Sequence, residues 1–356
     1  MPMGREITYA QAVLEATDQC MDKDPSVYIM GLGVPDPKGI FGTTLGLQDK
    51  YGDRRVMDMP VSENAMTGVA IGSAIRGMRP ILTHQRVDFM LLSLDQLINN
   101  AAKWHYMFDG KMRVPMVIRL IIGRGWGQGP QHSQSLQALF AHIPGLKVVM
   151  PSTPHDAKGL LVSSIEDDSP VIFLEHRWLH HVFGEVPEEI CRVPLGKANV
   201  LQEGKDVTIV STSHMALESF RAAKFLRERK NIEAEVIDLR TIKPLDAETI
   251  LNSVRKTGRL VVADGGWKFL GLSAEIIAMV TEKVFEHLKA PPCRVAFPDI
   301  PTPTSRVLAN EFYPGIINIV NAVTGFLGMP DVGEAELGLS QDVLKDIPDK
   351  SFTGPF

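Results

Sequence analysis

Six short apolar runs punctuate the first half of the chain: SVYIMG (26–31), RVMDMP (55–60), RPILTH (79–84), VPMVIRL (114–120), LKVVMP (146–151) and PVIFLE (170–175). Each has the length of a strand, and the segments between them read as helices, the alternation that builds a parallel α/β sheet. A first helix is expected over about 8–22, where Ala10, Val13, Leu14 and Met21 follow helical spacing. After Glu63 the run AMTGVAIGSAIRG is rich in small residues, and tight packing of a helix on a sheet accounts for its glycines and alanines.

A polar, proline-bearing stretch, GEVPEEICRVPLGKANVLQEGKD (184–206), then breaks the pattern and predicts a linker over 186–206 after a first domain of 1–185. The alternation resumes with DVTIVST (206–212), a helix to about 230, AEVIDLR (234–240), a helix opening at PLDAETI, RLVVADG (259–265), a long helix near 272–288 and CRVAFPD (293–299). This predicts a second, smaller α/β domain over 207–330. Residues 331–356 are polar with little periodicity and read as a surface extension. Two domains are also what 356 residues lead one to expect.

Composition narrows the function classes. With 22% charged residues and a formal charge of −5, the chain advertises no surface for nucleic acid or membrane. Cys20, Cys191 and Cys293 are far apart and form no CxxC pair, so neither a disulfide framework nor a zinc site is suggested, and a reducing, cytoplasmic setting is expected. The first twenty residues lack the apolar core of a signal peptide, and no apolar run approaches the roughly 20 residues of a membrane helix.

Phosphate motifs are incomplete. GRGWGQG (123–129) follows a predicted strand, but Trp126 puts a bulky ring where a pyrophosphate would approach, and ADGGWKFLG (263–271) falls short of a phosphate loop. Glu63, in MPVSENAM, stands just past a strand where α/β sites assemble; Ser62-Glu63-Asn64 reads equally as a helix cap with an acidic first turn. Of the ten histidines, His105 and His142 lie in helical apolar surroundings that suit core packing. His132, in the polar QHSQ segment after the glycine-rich run, reads as a helix-start residue whose imidazole the helix dipole would keep neutral for acid/base work; local context leaves that role level with simple capping.

Several stretches together resemble one family: GIFGTTLGLQDKYGDRRVMDMPVSENAMTGVAIGSAIRGMRPI, VDFMLLSLDQLINNAAKWHYMFDGKMRVPMVIR, QHSQSLQALFAHIPGLKVVMPSTPHDAKGLL, EVIDLRTIKPLD and FPDIPTPTSRVLANEFYPG. The chain is similar, in order over about 5–325, to the β subunit of the thiamine-diphosphate-dependent decarboxylating component of 2-oxo acid dehydrogenases, of pyruvate, branched-chain and acetoin type. The resemblance implies an α/β fold of two domains: a transketolase pyrimidine-binding domain, its parallel sheet flanked by helices, then a transketolase C-terminal domain. It further implies an α subunit in an α2β2 heterotetramer. That partner would hold Mg2+ and the diphosphate, which fits the missing phosphate motif here; the pair would decarboxylate a pyruvate-like 2-oxo acid and pass the acyl group to the lipoamide of a lipoyl acyltransferase.

By the same resemblance Glu63 matches the glutamate that hydrogen-bonds N1′ of the aminopyrimidine, sharing a proton that promotes ylide formation at the thiazolium. Val61 matches a backbone contact to the pyrimidine, and Phe89 the ring that stacks on it. His132 matches a histidine near the thiazolium that steadies the acyl group and helps pass it on. A potassium site would map to main-chain oxygens near Met116, Ser164, Asp167 and Ser169. The segment THQRVDF departs from the family, which commonly has an aromatic before the Asp-aromatic pair. Arg86 there would face either the cavity, pairing with a carboxylate or phosphate of an unusual substrate, or a subunit interface, with the interface favoured. His84 departs likewise, and Trp126 would wall the acyl pocket. A carboligase or transketolase-like subunit acting on an aldehyde or sugar is the alternative activity. A non-enzymatic subunit is argued against by the retention of Glu63, Phe89 and His132.

Overall fold

The computed structural model describes residues 5–123 and 128–338. In chain order its strands are β1 (Arg5–Thr8), β2 (Val27–Gly31), β3 (Val56–Met57), β4 (Arg79–His84), β5 (Val117–Ile122), β6 (Lys147–Val149), β7 (Val171–His176), β8 (Phe183–Val186), β9 (Asn199–Gln202), β10 (Val207–Ser211), β11 (Ala234–Asp238), β12 (Thr241–Lys243), β13 (Leu260–Trp267) and β14 (Cys293–Phe297). They form a seven-stranded sheet ordered β12-β6-β7-β5-β4-β2-β3, a five-stranded sheet ordered β14-β13-β10-β11-β9, and a small β1–β8 ribbon.

Every residue of β2, β5 and β7 is buried. A parallel strand covered by helices on both faces has no solvent side, so it reads as a continuous apolar run. On one face the helix Tyr9–Lys23 packs against Pro154–Glu166, with Val13, Ala16, Leu160 and Leu161 in one core. Its start is fixed by a capping box, Thr8 accepting from Gln11 N while the Gln11 side chain accepts from Thr8 N. On the other face the helix Glu63–Ile75 buries Ala70, Ile71 and Ala74 against Leu82 and Ile118. Its alanines make that packing. Gly68 has nothing nearer than 3.6 Å to an added Cβ and Gly72 nothing within 4 Å, so close packing does not explain the glycines.

Four strands fall outside the expected pattern: the β1–β8 ribbon, β9 and β12. β9 lies inside the stretch 186–206 and closes the second sheet antiparallel to β11. β12, far along the chain, joins the first sheet antiparallel to β6, with Thr241 opposite Val149. The seam is held further by Met150 N donating to Arg240 O (2.8 Å) and by an ion pair of Arg240 with Asp156 (3.1 Å). Among the described residues no helix is long and apolar enough to cross a membrane. The three cysteines are free thiols.

Candidate functional site

Ligands of open α/β sheets gather beyond the carboxyl ends of the parallel strands. At that edge the order β7-β5-β4-β2-β3 places side by side the segments carrying Arg177, His132, Arg86 to Phe89, Phe41 and Glu63.

Glu63 is the first residue of its helix and gives it an acidic first turn, while Ser62, at the N-cap position, makes no side-chain capping bond. The glutamate is 5% exposed, yet its carboxylate has no hydrogen-bond or ion-pair partner among the described residues. Its oxygens make no competing bond within the chain, so they are free to accept a donor from a ligand. Val61, two residues earlier, is 74% exposed.

Phe89 sits on a short 3-10 segment, Val87–Ser93, packed against the Glu63 helix. Its ring centroid lies 5.5 Å from that of His132. His132 Nδ1 is 2.8 Å from Asp88 Oδ2, and the imidazole side chain is 41% exposed. Asp88 therefore holds the Nδ1–H and turns Nε2 toward the open side, as an orienting carboxylate does for an acid/base histidine. The dipole reading of His132 does not hold. The nearest helix begins at Gln137, so His132 occupies a turn ahead of it. Asp88 was not among the sequence candidates; its one signal was its place beside Phe89 in RVDFML.

Arg86 is packed into the chain at this edge. It is 6% exposed, its guanidinium 5.1 Å from the centre of the Phe41 ring, with Arg177 at 5.1 Å from that ring as well. Burial, then the charge of Arg177, pulls the Arg86 guanidinium down to about 9, with Asp88 acting the other way. Among the described residues Arg86 forms no salt bridge, and its hydrogen bond runs to Gln85 O. His84 is buried at the end of β4, pushed down to about 4 by burial and so neutral at pH 7, with Nε2 unpartnered. His105 and His142 are exposed, contrary to core packing, and His105 Nδ1 lies 3.1 Å from Met112 O. Trp126 lies outside the described residues.

The four potassium candidates cluster where the helix Pro154–Glu166 turns into β7. Met116 O accepts from Val171 N (2.9 Å), Ser164 Oγ donates to Leu160 O (2.7 Å), Asp167 O accepts from Arg79 (3.0 Å), and Ser169 N donates to the Asp167 carboxylate (2.8 Å). Lys147 also binds that carboxylate. The Met116 and Asp167 carbonyl oxygens each keep a second lone pair, the donor type a monovalent cation takes. Among the described residues no group of three or more His, Cys, Asp or Glu side chains could hold a metal ion.

Comparison with known proteins supplies a frame for this geometry. Residues 5–181 match the transketolase pyrimidine-binding domain and residues 196–319 the transketolase C-terminal domain. The chain is 45% identical over 330 residues to the acetoin:2,6-dichlorophenolindophenol oxidoreductase subunit beta of Cupriavidus necator, covering 90% of this chain and 97% of that one. It is 42% identical to the pyruvate dehydrogenase E1 component subunit beta of Rickettsia bellii, covering 89% and 98%. A solved chain described as a split gene transketolase, inactive beta4 tetramer, shares the fold with a TM-score of 0.72 at 23% identity, covering 91% of this chain and 99% of that one.

Proposed function

We propose, from the premise that the chain belongs to the transketolase-like β subunits of thiamine-diphosphate-dependent 2-oxo acid dehydrogenases, that it is the β half of an enzyme that decarboxylates a 2-oxo acid and passes the acyl group to lipoamide. The observation that carries this reading is the largely buried Glu63, its carboxylate without a partner among the described residues, on a helix packed against the segment whose Phe89 meets His132.

The residues suit the cofactor. Thiamine diphosphate, when bound, supplies the electron sink for losing CO2. Glu63 would hold a proton toward N1′ of its aminopyrimidine, and Phe89 would offer a ring face to the same heterocycle, with Val61 lending its backbone. Such placement works because the carboxylate sits on a largely buried residue and makes no competing bond. His132, its Nδ1–H held by Asp88, presents Nε2 to steady the acyl oxygen and to move a proton as the acyl group leaves.

An α subunit would hold Mg2+ and the diphosphate and complete the site. In support, Val61, Leu92, Tyr106 and Met107 leave 74%, 62%, 90% and 64% of their surface exposed, apolar area that a partner would cover in an α2β2 assembly. A lipoyl acyltransferase would be the next partner, a K+ ion at Met116, Ser164, Asp167 and Ser169 would brace the turn before β7, and the free thiols favour a cytoplasmic location. The carboligase alternative is not favoured. The extensive likeness at 42–45% identity is to dehydrogenase and oxidoreductase subunits, whereas the transketolase chain at 23% speaks for the fold alone.

The test is the chain co-purified with its α partner, assayed for thiamine-diphosphate-dependent decarboxylation with an artificial electron acceptor. The Glu63→Gln complex is expected to lose about 100-fold or more, the range of a lost proton-transfer group. Full activity in that variant would refute the assignment of Glu63.

A further inference from the structure

We infer that Arg86 makes this enzyme selective for a 2-oxo acid carrying a second anionic group at its far end. The inference rests on the decarboxylase reading above and names the substrate class for that site.

Arg86 is 6% exposed, and among the described residues its one hydrogen bond runs to the neighbouring Gln85 O (3.0 Å). No carboxylate of the described residues pairs with it. Asp88, close enough to act on it through charge, spends Oδ2 on His132, and its Oδ1, also buried, makes no hydrogen bond. Phe41 offers only its ring face, which it shares with Arg177, a second cation whose charge opposes that of Arg86. A buried cation without a direct ion-pair partner is unfavourable unless an anion joins it, and the planar fork of arginine suits a carboxylate or phosphate.

Position says which anion. Arg86 precedes Asp88 and Phe89 by two and three residues, on the segment that carries the His132 partner and the stacking ring. The 1-carboxylate of the substrate is the group lost as CO2. A guanidinium bound to it would stabilise the charge that must disperse in the transition state, favouring the ground state and slowing the reaction. An anion at the other end of the molecule keeps its charge throughout, so holding it costs the chemistry nothing. Small neutral-tailed 2-oxo acids leave Arg86 uncompensated.

The reconstituted α/β enzyme is given two sets of 2-oxo acids of matched chain length: neutral-tailed ones such as 2-oxobutyrate and 2-oxoisovalerate, and anion-tailed ones such as 2-oxoglutarate, 2-oxoadipate and an ω-phosphono analogue. Carboxylate and phosphonate tails distinguish the two sources of the anion. The readout is the ratio of kcat/KM for anionic over neutral tails, in wild type, Arg86→Met and Arg86→Lys. The expected ratio exceeds one in wild type, falls about 10- to 100-fold in Arg86→Met, as for a lost hydrogen bond to a charged group, and is partly kept in Arg86→Lys. A ratio below one in wild type, or unchanged by Arg86→Met in a complex that still binds thiamine diphosphate, overturns the inference. If the cofactor-loaded complex turns over no 2-oxo acid of either set, the decarboxylase reading falls and takes this one with it.

Discussion

Replacing Asp88 by Asn removes a charge with almost no change of shape, and its effect is set by the surroundings of the two carboxylate oxygens. In the native site Oδ2 accepts from His132 Nδ1–H at 2.8 Å, while Oδ1 is buried with no hydrogen bond. An asparagine then has two choices. It can point its oxygen at His132, which leaves an NH2 group in a dry position without an acceptor. Or it can turn the NH2 to His132, which forces the proton onto Nε2 and removes the lone pair from the open side. The first costs a buried unsatisfied donor, and the second gives the wrong tautomer. Both also forfeit the bond from carboxylate to an imidazole gaining positive charge, worth about 1.5–3 kcal/mol, which corresponds to about 10- to 150-fold in rate. The assay separates two half-reactions of the reconstituted enzyme: decarboxylation with an artificial oxidant, and acylation of a free lipoyl domain. Acylation is expected to fall by that factor in Asp88→Asn and further in His132→Ala, while cofactor affinity stays within about twofold, since neither side chain is assigned to hold the cofactor. Acylation in Asp88→Asn within a factor of two of wild type would show that Asp88 does not orient His132.

Two more predictions concern the frame around the site. Arg119 and Glu175 are fully buried and joined at 2.7 and 3.0 Å, with His180 at 3.2 Å, and despite burial these partners hold the Glu175 carboxyl down at about 2 from its usual 4.5. A depressed folded-state value stabilises the protein above the unfolded value and is lost as pH falls through the folded one, so about 3 kcal/mol should disappear between pH 4.5 and about 2. Glu175→Gln should cost about 3–5 kcal/mol at pH 7 and flatten that acid limb in a circular-dichroism titration; an unaltered limb would mean another group titrates there. Gly145 has φ +98, and an added Cβ would stand 1.8 Å from Ala102 O. Gly145→Ala should therefore lower stability by about 2–5 kcal/mol, read as a shift of the urea midpoint, and a midpoint within error of wild type would contradict the close approach.

The long parallel strands were legible from sequence because burial on both faces writes itself into a continuous apolar run; RPILTH and PVIFLE each lie within a residue of the strands observed. The short edge strands were not. Thr241–Lys243 has three residues and no period, and it is a strand because β6 of the other sheet offers it an edge. Likewise the helices were legible from their spacing, but the exposure of His105 and His142 was not, since a short apolar neighbourhood does not say which side of a helix faces a sheet.

The site divides in the same way. Residue types in sequence, read with a family resemblance, were enough to single out Glu63, Phe89 and His132 and the chemistry they suit. Only the tertiary structure decided their surroundings. Asp88 and His132 are 44 residues apart and meet because β4 and β5 are parallel neighbours, so the segments leaving them emerge at the same edge. Arg86 left the sequence divided between cavity and interface, and packing over Phe41 put it inside the chain. Periodicity records where each residue stands relative to its own helix or strand; which charges share a dry space depends on strand order, and strand order is a property of the whole sheet.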